Sequence, residues 1–150
     1  MKLAEALQIK KDLDIKLQNL NNRLSNNARI QEGQTSAENP KDLFLELDNI
    51  IKMIEEYVSR INLTNSTTLV DGEELSKLLS RRDAMKKKIN SYDVFINEAS
   101  QIADRYSKTE ILVLPSYPVN ELQKKRDQLA KEYRELDLKI QEKNWTTDLI

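Results

Sequence analysis

Every helix breaker in this chain falls at a joint: the glycines are Gly33 and Gly72, and the prolines are Pro40, Pro115 and Pro118. Inside a helix, glycine costs about 1 kcal/mol and proline about 3 kcal/mol relative to alanine. Their confinement therefore leaves four uninterrupted stretches in which helices can run. Each stretch carries apolar residues at helical spacing. The expected elements are helices over about 2–26, 41–64, 73–106 and 118–144.

The spacing is that of a coiled-coil seam, with two apolar residues in seven. Helix 1 repeats Leu3, Ala6, Lys10, Leu13, Leu17, Leu20 and Leu24. Helix 2 follows with Leu43, Leu47, Ile50, Ile54, Tyr57 and Ile61. A second row, Phe44, Ile51 and Val58, flanks that seam, and a stripe this broad predicts burial against two partners. Helix 3 carries Leu75, Leu78, Arg82, Met85, Ile89, Tyr92, Ile96, Ala99, Ala103 and Tyr106. Helix 4 carries Val119, Leu122, Arg126, Leu129, Tyr133, Leu136 and Ile140. With 33% charged, 39% hydrophobic and 5% aromatic residues, the chain reads as long-helix material. The expected fold is all-α: one domain over residues 1–150, an antiparallel four-helix bundle with long coiled-coil-like helices.

The joints carry their own signals. Asn39-Pro40-Lys41-Asp42 reads as a helix start, with asparagine as N-cap, proline in the first turn and an acidic residue behind it. Asp71-Gly72-Glu73-Glu74 reads as a sharp turn with a capping-box-like entry to helix 3. Ile111-Leu112-Val113-Leu114 is apolar and β-branched, and Ala28-Arg29-Ile30-Gln31-Glu32 alternates in polarity. In an up-down bundle these two connectors meet at one end, and the expectation is a small two-stranded sheet between them. The chain finishes Asn144-Trp145-Thr146-Thr147-Asp148-Leu149-Ile150, where polar β-branched residues follow helix 4 and a short, partly ordered tail is expected.

Composition also excludes chemistry. The chain has no cysteine and no histidine, which removes thiol nucleophiles, disulfides, imidazole bases and the usual zinc, haem and copper ligand sets. No metal and no cofactor is expected. The net charge is −1, from 24 basic and 25 acidic residues, and no basic arm stands out, so nucleic acid is not an expected partner. The basic runs Arg81-Arg82 with Lys86-Lys87-Lys88, and Lys124-Lys125-Arg126, lie near the starts of oppositely directed helices. They are expected at opposite ends, as solvated faces. No stretch approaches the ~20 apolar residues of a membrane span, and Met1-Lys2-Leu3-Ala4-Glu5 lacks a signal peptide's apolar run. The cytoplasm is the expected compartment.

The segments Met1-Lys2-Leu3-Ala4-Glu5-Ala6-Leu7, Asn27-Ala28-Arg29-Ile30-Gln31-Glu32-Gly33, Arg60-Ile61-Asn62-Leu63-Thr64-Asn65, Asp104-Arg105-Tyr106-Ser107 and Ile140-Gln141-Glu142-Lys143-Asn144-Trp145-Thr146-Thr147 are polar yet particular. In these the chain resembles an uncharacterised bacterial family labelled septicolysin-like. The resemblance implies no established activity. Its label points to a cytolysin, whereas the charge-interrupted helices argue against membrane lysis.

Antiparallel packing gathers Asn62, Thr64, Asn65, Asp71, Arg81, Arg82, Asp83, Asn144, Trp145 and Thr146 at the Gly72 end, with Asn62, Asn65, Asp71, Arg81, Arg82, Asn144 and Trp145 as the candidate ligand-binding residues. Arg82 on a seam needs a partner, because a buried unpaired charge is costly. Two readings stand: a polar network that fixes helix register, or a site for a small anionic ligand built on guanidinium and amide groups. Trp145 reads as a plug over the core end or as a contact with a subunit or ligand. Carboxylate pairs such as Glu55-Glu56, or Glu135 with Asp137, show only surface spacing. The expected function is that of a non-enzymatic helical protein acting through a homo-oligomer or a partner helix. The competing function is ligand binding or catalysis at the Asn/Arg/Trp end.

Overall fold

Helix boundaries follow the breakers closely. The computed structural model describes residues 1–101 and 113–150. Among these the chain forms α1 (Leu3–Asn26), α2 (Pro40–Thr67), α3 (Leu75–Ala99) and α4 (Val119–Thr146), with strands β1 (Leu69–Val70) and β2 (Glu73–Glu74) between α2 and α3. Among the described residues the fold is all-α with one small antiparallel sheet. The seam positions Ala103 and Tyr106, and the expected end of helix 3 at 106, lie outside the described residues.

The chain forms two compact units, residues Met1–Leu75 with Glu142–Ile150, and residues Ser76–Gln141. In the first unit α1 and α2 pack antiparallel around Leu20, Leu43 and Ile50, with Leu17, Leu24, Leu47 and Ile54 against them. Leu3, Ala6, Leu13 and Ile61 are buried as well. Each fully buried leucine or isoleucine contributes about 1.5–3 kcal/mol, so this seam is the main source of the unit's stability.

The joint between α1 and α2 is tied by side chains. Asn39 caps α2 by accepting from the Lys41 N–H at 3.0 Å, with Pro40 in the first turn. The Asn27 side chain donates to the Arg23 carbonyl at 2.8 Å and accepts from the Glu38 N–H at 2.9 Å. Arg23 forks onto two carboxylates, Glu38 at 2.7 Å and Glu46 at 3.1 Å. Its hydrogen bond holds the Glu38 carboxyl below the usual carboxylate range.

In the second unit two ion pairs set the register of α3 against α4: Arg82 with Asp137 at 3.0 Å and Arg126 with Asp93 at 2.8 Å. Moving forward along α3 from 82 to 93 moves backward along α4 from 137 to 126, which makes the pair antiparallel. Leu78, Ile89 and Ile140 are buried. Met85, Tyr92, Ile96, Leu122, Leu129, Tyr133 and Leu136 are half-buried.

Four expectations need correction. The second row of α2 is not covered: Phe44 is 56% and Ile51 45% exposed, and Val58 is half-buried. The sheet is not at the expected connectors. Ala28–Glu32 is irregular, Val113 and Leu114 are exposed without strand structure, and Ile111 and Leu112 lie outside the described residues. Instead the sheet is at the Gly72 turn, pairing Leu69 with Glu74 and Val70 with Glu73. Asp71 and Gly72 have φ of 52° and 86°. Two successive positive φ values are what a two-residue hairpin turn requires. The Leu75 N–H then donates to the Thr68 carbonyl at 2.8 Å, which delays the start of α3 to Leu75.

Third, α2 and α4 run past their expected ends. Thr64 and Thr67 bond back to the carbonyls of Arg60 and Leu63, and Thr146 to that of Glu142, so these hydroxyls are satisfied within the helix. Fourth, the tail is paired along its length. Leu3 N–H donates to the Thr147 carbonyl and Leu149 N–H to the Met1 carbonyl, each at 2.9 Å, and Lys2 forms an antiparallel bridge with Asp148.

Candidate functional site

The polar residues that sequence reasoning gathers at the Gly72 end divide between the two units. Asn62, Asn65, Asp71, Asn144 and Trp145 belong to the first, Arg81 and Arg82 to the second. In the first unit the organising residue is Thr64, which is fully buried. Its hydroxyl donates to the Arg60 carbonyl at 2.8 Å and accepts from the Ile150 N–H at 3.1 Å. Arg60 Nε reaches the Ile150 carbonyl at 2.8 Å. Lys2 Nζ closes the other side, 2.8 Å from Asp148 and 3.3 Å from the Thr146 carbonyl. The Lys2 hydrogen bond holds the Asp148 carboxyl below its ordinary range. Together these bonds clasp the last residues to α2 and to the start of α1.

Around that clasp, Asn62 and Asp71 are exposed, and Asn65 and Asn144 are half-buried. Trp145 is 62% exposed, so it does not plug the core end. The ring is held out because α4 continues through Thr146, which places residue 145 on the helix surface.

In the second unit Arg81 is exposed, and Arg82 is half-buried with its charge met by Asp137 at 3.0 Å and Asp83 at 3.7 Å. The other seam cations are met in the same way: Lys10 by Asp14 at 2.7 Å, and Arg126 by Asp93. The Arg126 hydrogen bond holds the Asp93 carboxyl below its ordinary range, and Asp93 in turn raises Arg126. Among the described residues, no buried side-chain nitrogen or oxygen lacks a partner. No group of three or more acidic residues there could hold a metal ion.

The basic runs behave differently from expectation. Lys88 of α3 and Lys124 and Lys125 of α4 line one groove with Tyr92, Gln128 and Leu129. Counting from each helix start places these lysines at opposite ends. The 93–126 ion pair instead sets the last third of α3 against the first third of α4.

A family model described as a family of unknown function (DUF6847) matches residues 10–149. The chain belongs to that family. It is also similar to a functionally unknown conserved protein from Corynebacterium diphtheriae, known from a crystal structure, at 40% identity. The likeness covers 100% of this chain and 99% of the other, with a TM-score of 0.93. No curated protein matches the sequence. Membership in the family assigns no activity to any of the clusters above, and the function of this member is unknown. Among the described residues, no helix is long and apolar enough to cross a membrane.

Proposed function

We propose that this protein is a non-enzymatic helical assembly protein of the cytoplasm, whose α2 face receives an amphipathic helix from a second copy of the chain. The observation that carries this reading is the exposed row on α2, where Phe44 and Ile51 lie one heptad apart beside a fully used seam. A lone exposed apolar residue is ordinary, whereas a periodic apolar row is what a partner helix needs. Lys41, Asp48, Lys52 and Glu55 flank the row and alternate in sign along the helix. Read in the reverse direction, the alternation inverts. Two copies laid antiparallel about an axis at residue 50 therefore bring Asp48 opposite Lys52. None of these four side chains forms an ion pair within the described residues, in contrast to Arg23, Arg82 and Arg126. On this reading the septicolysin-like resemblance marks a shared helical scaffold.

Sedimentation velocity from 1 to about 100 μM tests the proposal. A concentration-dependent dimer is expected, and Phe44→Glu with Ile51→Glu should weaken it by more than about tenfold, since two buried apolar anchors are replaced by charge. A strict monomer across that range rules the assembly out.

A further inference from the structure

We infer that the groove between α3 and α4 in the Ser76–Gln141 unit binds a small phosphorylated ligand with a flat apolar body, the chemistry of a mononucleotide. The inference stands apart from the α2 assembly face. The groove holds about 380 Å³, within the range typical of small-molecule sites. Lys88 on α3 and Lys124 and Lys125 on α4 form its rim, and the half-buried side chains of Tyr92 and Leu129 form its apolar lining.

The rim of the groove, three lysines and no carboxylate among the described residues, points to an anion. None of the three ammonium groups has an ion-pair partner among the described residues. Of the nearby carboxylates, Asp93 and Asp127 face Arg126 at 2.8 Å and 3.7 Å, Glu132 accepts from the Gln128 amide at 3.1 Å, and Glu121 precedes Lys124 and Lys125 by three and four residues without an ion pair to either. Three lysines therefore line one concavity with no carboxylate among the described residues paired to any of them, and a phosphate chain seated there can meet all three. Lysine acts on phosphate as a compact point charge on a flexible stem, so three of them can close on a phosphate chain without a preformed fork. The Tyr92 ring and Leu129 supply the second half of the selectivity, a surface against which a planar base or similar group packs.

Isothermal titration at low salt, with ATP, AMP, pyrophosphate and a short single-stranded oligonucleotide as probes, tests the site on the full chain. The expected result is saturable binding of ATP at one site per chain, with AMP and pyrophosphate each weaker. Lys124→Ala with Lys125→Ala should weaken ATP by at least about tenfold, in line with the loss of charge-assisted contacts. Tyr92→Leu should weaken ATP and leave pyrophosphate unchanged. Circular dichroism verifies that each variant remains folded, and Lys88→Gln is an exposed alternative if the double variant does not fold. Absence of ATP binding at 1 mM overturns the inference. So does binding unaffected by the lysine variants, or binding of the oligonucleotide alone.

Discussion

Replacing Asn27 with alanine measures how much of the α1–α2 hairpin depends on a single amide. Asn27 is buried and is bonded on both sides: Nδ2 to the Arg23 carbonyl at 2.8 Å, Oδ1 to the Glu38 N–H at 2.9 Å. The first bond is largely redundant, because the backbone N–H of Asn27 also reaches the Arg23 carbonyl at 3.1 Å. Losing it costs little. The second bond has no substitute, since truncation leaves the half-buried Glu38 N–H without its acceptor. A typical intramolecular hydrogen bond contributes about 1 kcal/mol net, and a stranded buried donor adds about 1–2 kcal/mol. The expected loss is therefore about 2–3 kcal/mol. The effect should propagate, because Glu38 is also where Arg23 forks onto the segment leading into α2.

The assay is urea unfolding followed by far-ultraviolet circular dichroism and by Trp145 fluorescence, which reports from the same unit as Asn27. Hydrogen exchange at the Glu38 amide adds a local readout. Asn26→Ala, one residue away and exposed, serves as the control and should stay within about 0.5 kcal/mol. The reasoning is refuted if Asn27→Ala is as stable as Asn26→Ala and the Glu38 amide retains its protection. In that case the helix seam alone holds the joint.

Three further outcomes follow from the structure. Gly72→Ala should destabilise by about 1 kcal/mol as measured by urea unfolding, because φ of 86° is left-handed while an added Cβ meets nothing within 4 Å; the cost is conformational, not steric. The Asp93 carboxyl is held below its ordinary value by Arg126, so its contribution is fully present above about pH 4 and is lost as pH falls through the lowered folded value. Asp93→Asn should flatten the acid limb of a stability-versus-pH curve in that window, and an unchanged limb counts against the pair. Vesicles loaded with a self-quenching dye should stay intact with micromolar protein, as no described helix is apolar enough to span a bilayer.

The helix seams were legible because they repeat. Each seam position expected within the described residues is buried or half-buried, including the polar positions Lys10, Arg82 and Arg126. Their acidic partners were only partly legible. Asp14 lies four residues from Lys10, a local spacing that sequence carries, while Asp137 and Asp93 meet their arginines only once the helix register is known. The hairpin failed for a different reason. Two-residue strands have no measurable period, so Leu69–Val70 and Glu73–Glu74 gave no pattern to count. The Asp71-Gly72 pair was the available signal, and it favours a two-residue hairpin turn over a helix cap. The tail was illegible in principle. Leu149 and Met1 meet through backbone bonds, which any sequence can form, so nothing local in Trp145–Ile150 announces them.

The convergence of Lys88 with Lys124 and Lys125 shows how register decides chemistry that composition conceals. Measured from helix starts, the lysines fall near the beginnings of two opposed helices and read as two dilute surface patches. Measured from the 93–126 ion pair, they lie within about two helical turns of one point, since each residue advances only about 1.5 Å. Arg126 faces both Asp93 at 2.8 Å and Asp127 at 3.7 Å, so neither carboxylate is paired with the lysines beside it. A near-neutral chain thus brings three lysines onto one groove. The same logic separates the two arginine–aspartate pairs of the seam. Arg82 with Asp137 sets register beside a groove of mixed charge, lined by Arg81, Glu132, Glu135 and Lys139, whereas Arg126 with Asp93 sets it beside the groove lined by three lysines. Exchanging Asp93 and Arg126 tests the distinction, since the swapped pair preserves an ion pair across the seam. If the groove is set by register and local charge together, the swapped protein should keep its stability within about 1 kcal/mol and change its affinity for ATP.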